Sequence, residues 1–280
     1  GKETKVIIVS TPNGFNLFYK FWNDADNGNN SFVPFKVHWS NVPGRDQEWR
    51  QKIVSTIGEE AFRQEYDADF LGSSNTLVST EKLQELSFKT PLFTKDSLDV
   101  YEEPVAGGSY VMTVDVARGQ GLDFSAFSVF DTTEIPYKVV AKYKNNHVAP
   151  LHFPNIINIV GKRYNNAYIL VEINDIGSQV ADVLYHDLEY ENLYSTSWYG
   201  RHGQQLSGGV KKDSVFGVRT TRAMKKLGCS NLKSLIEEDK LLIPDYDIIS
   251  ELTTFVSSGD SFSADDGAND DLAITLVLFA

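Results

Sequence analysis

The chain opens on a short run of consecutive apolar residues, Lys5 to Val9, which predicts a buried strand. Pro12 and the Asn13-Gly14 pair turn the backbone directly after it. Phe15 to Trp22 reads as helix, a Gly- and Asn-rich loop follows at 25–31, and Phe32 to Trp39 is strand-like. From Asp46 to Tyr66 the residues Trp49, Ile53, Ile57 and Phe62 recur at helical spacing, with Asp46 placed as N-cap. Leu71 to Thr80 has linker composition through Gly72, Ser73, Ser74 and Asn75, which sets an expected boundary between residues 1–75 and 76–280.

Beyond residue 100 the pattern turns to strands: Tyr110 to Val116, Phe124 to Phe130 and Lys138 to Tyr143. The first two are joined by a glycine-containing turn, Arg118 to Gly121, which predicts antiparallel neighbours. Ile156 to Tyr164 is a helix and Ala167 to Ile173 a strand, apolar on both faces and therefore expected to be central. The crossover helix before it implies a parallel partner. Helices follow at Ser178 to Tyr190 and Thr221 to Glu238, the latter weakened by Gly228. A strand is expected near Tyr194 to Trp198, a short one at Leu241 to Ile243 closed by Pro244, and a last helix from Asp270 to Phe279. Ile248 to Val256 is mixed, and no repeat appears at a period of 20–50 residues. The fold class is α/β, a mixed sheet flanked by helices.

Composition narrows the function classes. No stretch approaches eighteen consecutive apolar residues, so no helical membrane span is expected. Thirty-four aromatic residues spread along the chain exclude a disordered or low-complexity sequence. Cys229 is the only cysteine, which excludes a disulfide framework and a cysteine zinc site and fits a reducing cytosol. No secretion signal is seen, and a start without Met and a stop inside an apolar run are expected of a fragment. The net charge of −12 argues against nucleic acid only until it is resolved locally. Between Arg201 and Lys233 stand eight basic residues and one acid, whereas Asp260 to Asp271 holds five acids and no base.

Asp115 and Glu172 each interrupt an apolar strand, where a lone carboxylate costs many kcal/mol unless it is paired or binds metal. If the two strands are adjacent, both acids emerge at one sheet edge. Asp270 and Asp271, opening the last helix, supply a third member, although the helix dipole alone also favours acids there. Carboxylates without a cysteine or histidine cluster select Mg²⁺ or Mn²⁺, and two such ions about 3.5–4 Å apart would clamp a scissile phosphodiester. Lys211, Lys212, Arg219, Arg222, Lys225 and Lys226 read either as phosphate contacts or as a solvated helix face. His147 and His152, in the loop after the third strand, read as incidental or as orienting substrate or water. Asn174 and Asp175 are expected to cap the next helix, while Arg118 and Trp198 receive no role.

This arrangement resembles the ribonuclease H-like nucleases, and more closely the C-terminal part of the large terminase subunit of tailed, T-even-type bacteriophages. The resemblance is carried by VMTVDVARGQGLDFSAF (111–127), YILVEIND (168–175), the stretch 217–243 and GANDDLAITLVLF (267–279). VIIVSTPNGFNLFYKFW (6–22) resembles the late ATPase strand and coupling motif of that subunit, and EEAFRQEYDADFLGSSNTLVS (59–79) its exit into the nuclease. It implies a partial P-loop ATPase segment over 1–75 and a ribonuclease H-like nuclease over 76–280. No GxxxxGK[ST] loop is present, so Ser10 and Thr11 are at most a phosphate-sensing strand end. Asp115, Glu172 and Asp270 are implied as catalytic metal ligands, with Asp271 as alternative or additional ligand and Asp123 as accessory acid. Some relatives carry histidine where Gly267 stands. The implied activity is Mg²⁺- or Mn²⁺-dependent cutting of double-stranded viral DNA with little sequence preference, in the host bacterial cytoplasm. Implied partners are the portal protein and the small terminase subunit. A junction resolvase or transposase, and a non-catalytic DNA-gripping module, are the competing readings.

Overall fold

The computed structural model describes residues 4–280 apart from 13, 15, 16, 71–74, 120–122, 199–203, 207–213 and 260, and only the backbone of 60, 197, 198, 204–206 and 214. The chain divides into two units, 1–74 and 75–280.

In the first unit α1 (Leu17–Asp26) packs Phe18, Tyr19 and Trp22 around Phe70. Asp46 caps α2 (Gln47–Ile57), its side chain accepting the Trp49 N–H. Gly58, at φ 86, ends that helix, and α3 (Glu59–Phe62) runs on into a π-turn over Arg63–Asp67. Trp39, Trp49, Phe62 and Tyr66 stack into one aromatic core. The strands expected at 5–9 and 32–39 do not form. Ile7, Val9, Val33 and Phe35 are exposed and pair with no strand among the described residues. Alternation and apolarity create strand propensity, but a strand exists only where a neighbour completes its ladder.

The second unit begins with α4 (Thr80–Glu85) and a hairpin of β1 (Phe93–Lys95) and β2 (Leu98–Val100), turned by Asp96 and Ser97 at positive φ. Then come β3 (Tyr110–Asp115), β4 (Ser125–Asp131), β5 (Tyr137–Asn145), α5 (Phe153–Arg163) and β6 (Tyr168–Val171). Next are α6 (Gly177–Asp182), which continues as a π-turn, and a small sheet of β7 (Ser195–Trp198), β8 (Gln204–Leu206) and β9 (Ser214–Phe216). The chain closes with α7 (Arg222–Glu237), β10 (Leu241–Leu242), α8 (Tyr246–Thr254), the hairpin β11 (Phe255–Ser258) and β12 (Ser261–Ala264), and α9 (Asp271–Phe279).

Among the described residues seven strands form one mixed sheet in the order β1-β2-β5-β4-β3-β6, with β10 beside the start of β5. The pair β3–β4 is antiparallel and β3–β6 parallel. One face is covered by α5 and α6 over Met112, Val114, Phe127, Tyr143 and Ile169, and the other by α9. β6 is not central as expected: it ends the strand order, and its outer edge is closed only by single bridges to Leu193 and Val218. Apolarity on both faces reports cover by helices, not the presence of two strand neighbours. Gly228 has a packing reason: a Cβ there would sit 2.5 Å from the Val277 carbonyl oxygen, so glycine lets α7 lie against α9. No helix among the described residues is long and apolar enough to cross a membrane.

Candidate metal centre

The parallel register of Val114 with Val171 sets Asp115 beside Glu172, whose N–H donates to the Val114 carbonyl at 2.9 Å. Strand alternation sends Met112 and Val114 into the core under α5 and α6 and leaves Thr113 and Asp115 on the α9 face. Thr113 donates there to the Thr275 carbonyl at 2.6 Å. Asp115 lies opposite Ala126 of β4, and Ala126 opposite Lys144 of β5. Glu172, Asp115, Ala126 and Lys144 thus form one row across the sheet, under the N-terminus of α9.

That N-terminus contributes the other acids. Asp271 Oδ1 accepts the Phe124 N–H at 3.2 Å, tying α9 to the start of β4. Its Oδ2 is buried and has no hydrogen-bond partner, and the Lys144 ammonium stands 3.9 Å away. Asp270, the N-cap, accepts the Ala264 N–H at 3.2 Å and lies 3.8 Å from Lys225 Nζ. Burial raises the Asp115 carboxyl well above the usual carboxylate range, followed by the charges of Glu172 and Asp271, a hydrogen bond to Glu172 and the charge of Asp270. Burial also raises Asp271, against the pull of Lys144. Acids gathered this way cannot all ionise without a compensating cation, and oxygen-only donors match a hard divalent ion.

Glu172 is held by Asn174, whose amide donates to its Oε1 at 2.9 Å and to the Thr220 carbonyl at 3.3 Å. The expected capping of α6 by Asn174 and Asp175 side chains is not found; Ile176 occupies the cap position. Asp175 instead takes φ 52 and clasps Arg118 with two bonds of 2.6 and 2.7 Å. Gly177 permits the close turn after Glu172, because a Cβ there would fall 1.8 Å from the Glu172 carbonyl oxygen.

Three residues of this neighbourhood were missed in the sequence: Lys144, Glu251 and Lys142. Buried Glu251 accepts from Lys144 at 2.5 Å through Oε1 and from the Ala273 N–H of α9 at 2.9 Å through Oε2. Burial pushes its carboxyl up to about 7 despite Lys144. The available signal was an acid among Ile248, Ile249 and Leu252, and two lysines spaced i, i+2 in a strand. Two residues back along β5, Lys142 fills a second acid cluster whose oxygens lie within 4.8 Å of one another: Asp99, Asp245 and Asp247. Its ammonium is 2.8 Å from Asp99 and 3.3 Å from Asp245, and also bonds Asp247. A cleft of about 540 Å³ runs between Lys142, Lys144, Phe124 and Asn269.

Of the other candidates, Asp123 is exposed one residue before Phe124, and His147 and His152 are exposed in the β5–α5 loop. Gly267 takes φ 81. Arg219, Arg222 and Lys226 are exposed around the start of α7, and half-buried Lys225 reaches Asp270. Lys211 and Lys212 lie outside the described residues.

The chain is 25% identical over 293 residues to the large terminase subunit of Thermus virus P23-45, and 25% identical over 297 residues to that of Thermus phage G20c. Each alignment covers 97% of this chain and 54% of the relative, so the chain spans about half the length of the curated relatives it matches. The magnesium-bound crystal structure of the large terminase nuclease from thermophilic phage G20c shares the fold at a TM-score of 0.55 and 18% identity, over 74% of this chain and 96% of that one. Its cobalt-bound form gives 0.56 and 19%, with the same coverage. The family model of the terminase RNaseH-like domain matches residues 112–279, from the third residue of β3 to the end of α9, and this chain belongs to that family.

Proposed function

We propose that residues 76–280 are a metal-dependent endonuclease that cuts double-stranded DNA with little sequence preference during viral genome packaging. One observation carries this reading: Asp271 presents a buried oxygen without a hydrogen bond, in electrostatic reach of the Asp115–Glu172 pair. A protein does not leave such an atom bare without cause. Asp115, Glu172 and Asp271 are the residues that would hold Mg²⁺ or Mn²⁺, with Asp270 beside them and Asp123 as an outer acid. There is room in this reading for two ions, and for Asp270 to take the third ligand's place. A divalent ion held by these carboxylates would supply Lewis-acid activation of water and stabilisation of the leaving oxygen of a phosphodiester.

The protein's own residues do the positioning. Asn174 aims Glu172, the Phe124 N–H and the α9 backbone aim Asp271, and the sheet register fixes Asp115. Arg219, Arg222, Lys225 and Lys226 would grip backbone phosphates, contacts that carry no base preference; Lys211 and Lys212 would extend this set. Residues 1–75 are read as the end of an ATPase domain, with Ser10 and Thr11 at its strand end, and the portal protein and small terminase subunit as partners in the host cytoplasm.

Asp115→Asn tests the reading. Mn²⁺-dependent cleavage of plasmid should fall by roughly 10³-fold or more, since ligands of one site act as a unit, while circular dichroism and DNA binding stay unchanged. Equal cleavage by the variant refutes the assignment. A wild-type chain that binds DNA and never cuts it supports a gripping module instead.

A further inference from the structure

Lys144 and Glu251 lie directly behind Asp271 and have no part in the scheme above. The Lys144 ammonium is 2.5 Å from Glu251 Oε1 but 3.9 Å from Asp271 Oδ2, the oxygen without a hydrogen bond. An unrestrained ammonium beside a bare buried carboxylate would close on it, because a charge-assisted bond forms at about 2.7–2.9 Å. Something holds it off. Glu251 takes the ammonium with one oxygen and the Ala273 N–H with the other, two residues along α9 from Asp271. The Phe124 ring supports the lysine from a second side, 4.3 Å from Nζ, while the Phe124 N–H occupies the other Asp271 oxygen. Lys144 is thus anchored to the helix that carries Asp271 and denied its free oxygen.

We propose that Glu251 is a positioning residue that holds the Lys144 ammonium away from Asp271, so that the free Asp271 oxygen stays available to a divalent cation. The inference rests on the metal-binding reading of the acid cluster and adds to it an internal competitor and its restraint. Glu251→Gln keeps the shape and the acceptor for Ala273 but loses the charge that retains Lys144. The released ammonium then pairs with Asp271. A purely structural role for Glu251 makes a different statement: removing Lys144 as well cannot repair the damage.

The test is calorimetric titration of Mn²⁺ into the 280-residue chain at about pH 8, for the wild type, E251Q, K144M and the double variant. E251Q is expected to bind about tenfold more weakly or worse, and the double variant to return to within about threefold of wild type. Binding by E251Q equal to wild type overturns the proposal, as does a double variant as weak as E251Q. If E251Q does not fold, K144M decides: undiminished binding supports the restraint, and loss of binding overturns it by making Lys144 a support of Asp271. A wild-type chain that takes up no Mn²⁺ overturns the metal reading itself, a result distinct from either failure of Glu251.

Discussion

Two acid clusters lie on the same face of one sheet, beside lysines two residues apart on β5, and they differ in what neutralises them. Around Asp99, Asp245 and Asp247 the protein supplies its own cation: Lys142 reaches all three. Asp245 is completed by the Tyr101 hydroxyl at 2.5 Å and the Ile248 N–H at 2.7 Å, where it caps α8. Burial pulls the Lys142 ammonium down, but the facing Asp245 and Asp247 more than reverse it and hold it above the ordinary lysine range. Around Asp115, Glu172, Asp270 and Asp271 two lysines stand close and do not close in, at 3.9 and 3.8 Å. The tighter cluster of oxygens is therefore the poorer candidate for a metal. Acid density alone does not identify a cation site; the site proposed here is the one whose buried carboxylate oxygen the nearby lysines leave without a hydrogen bond.

The largest effect that separates the clusters is on stability. Lys142→Met leaves buried Asp245 without its compensating cation, and breaking a buried pair in this way costs about 3–5 kcal/mol. Urea denaturation should show that loss, while Mn²⁺ affinity at the Asp115 cluster stays at the wild-type value. A Lys142 variant that abolishes Mn²⁺ binding without destabilising the fold would exchange the roles of the two clusters.

Much of this contrast was legible before the structure. Asp115 and Glu172 stand out because each follows a largely apolar run, at the end of β3 and just past β6, and strand pairing then brings them together through register. The three sequential strands, the crossover helix and the acidic start of α9 follow from periodicity and turn chemistry. What stayed hidden depends on the third dimension. Lys144 comes within 3.9 Å of Asp271 only because the strands and a distant helix align, and the partners of Glu251 emerge only when α9 is laid over it. Gly228 looks like a flaw in α7 until Val277 is seen pressed against it. Asp123 and the histidines could be named but not placed. The missing strands at 5–9 and 32–39 mark the opposite limit, where local pattern is clear and the pairing partner is not among the described residues.

A medium effect concerns pH. Folding raises the Glu251 carboxyl from 4.5 to about 7, so the native state favours its protonated form. Between those values the native state holds more proton than the unfolded chain. Stability from this group is complete below 4.5 and is lost as pH rises through 7, a decline of roughly 3 kcal/mol. Asp115, raised well above its usual range, adds a decline of the same sign. Denaturation of metal-free protein at pH 5 and pH 8 should show wild type losing more stability than E251Q across that interval. Saturating Mn²⁺ should reduce the wild-type decline, because metal binds the deprotonated carboxylates. Equal losses in wild type and E251Q would leave Glu251 out of the titration.

The smallest effect asks what the standing-off lysines are for. Lys225 lies 3.8 Å from Asp270 and over the Phe255 ring, half-buried where Arg222 and Lys226 beside it are exposed. If it served mainly to neutralise Asp270, Lys225→Met would strengthen Mn²⁺ binding and leave DNA affinity alone. On the reading proposed here it is a phosphate contact that also borders the acids, so both properties move. DNA affinity should fall a few-fold at every sequence tested, with the slope of log affinity against log salt reduced by about 1. Mn²⁺ binding should tighten by no more than about threefold, since a partly exposed pair at 3.8 Å without a hydrogen bond is worth roughly 0–1 kcal/mol. Lys226→Met should reproduce the DNA effect and not the metal effect, because Lys226 is exposed on the same helix. An unchanged salt slope in both variants would remove α7 from the DNA path and leave the acid cluster without its grip on the substrate.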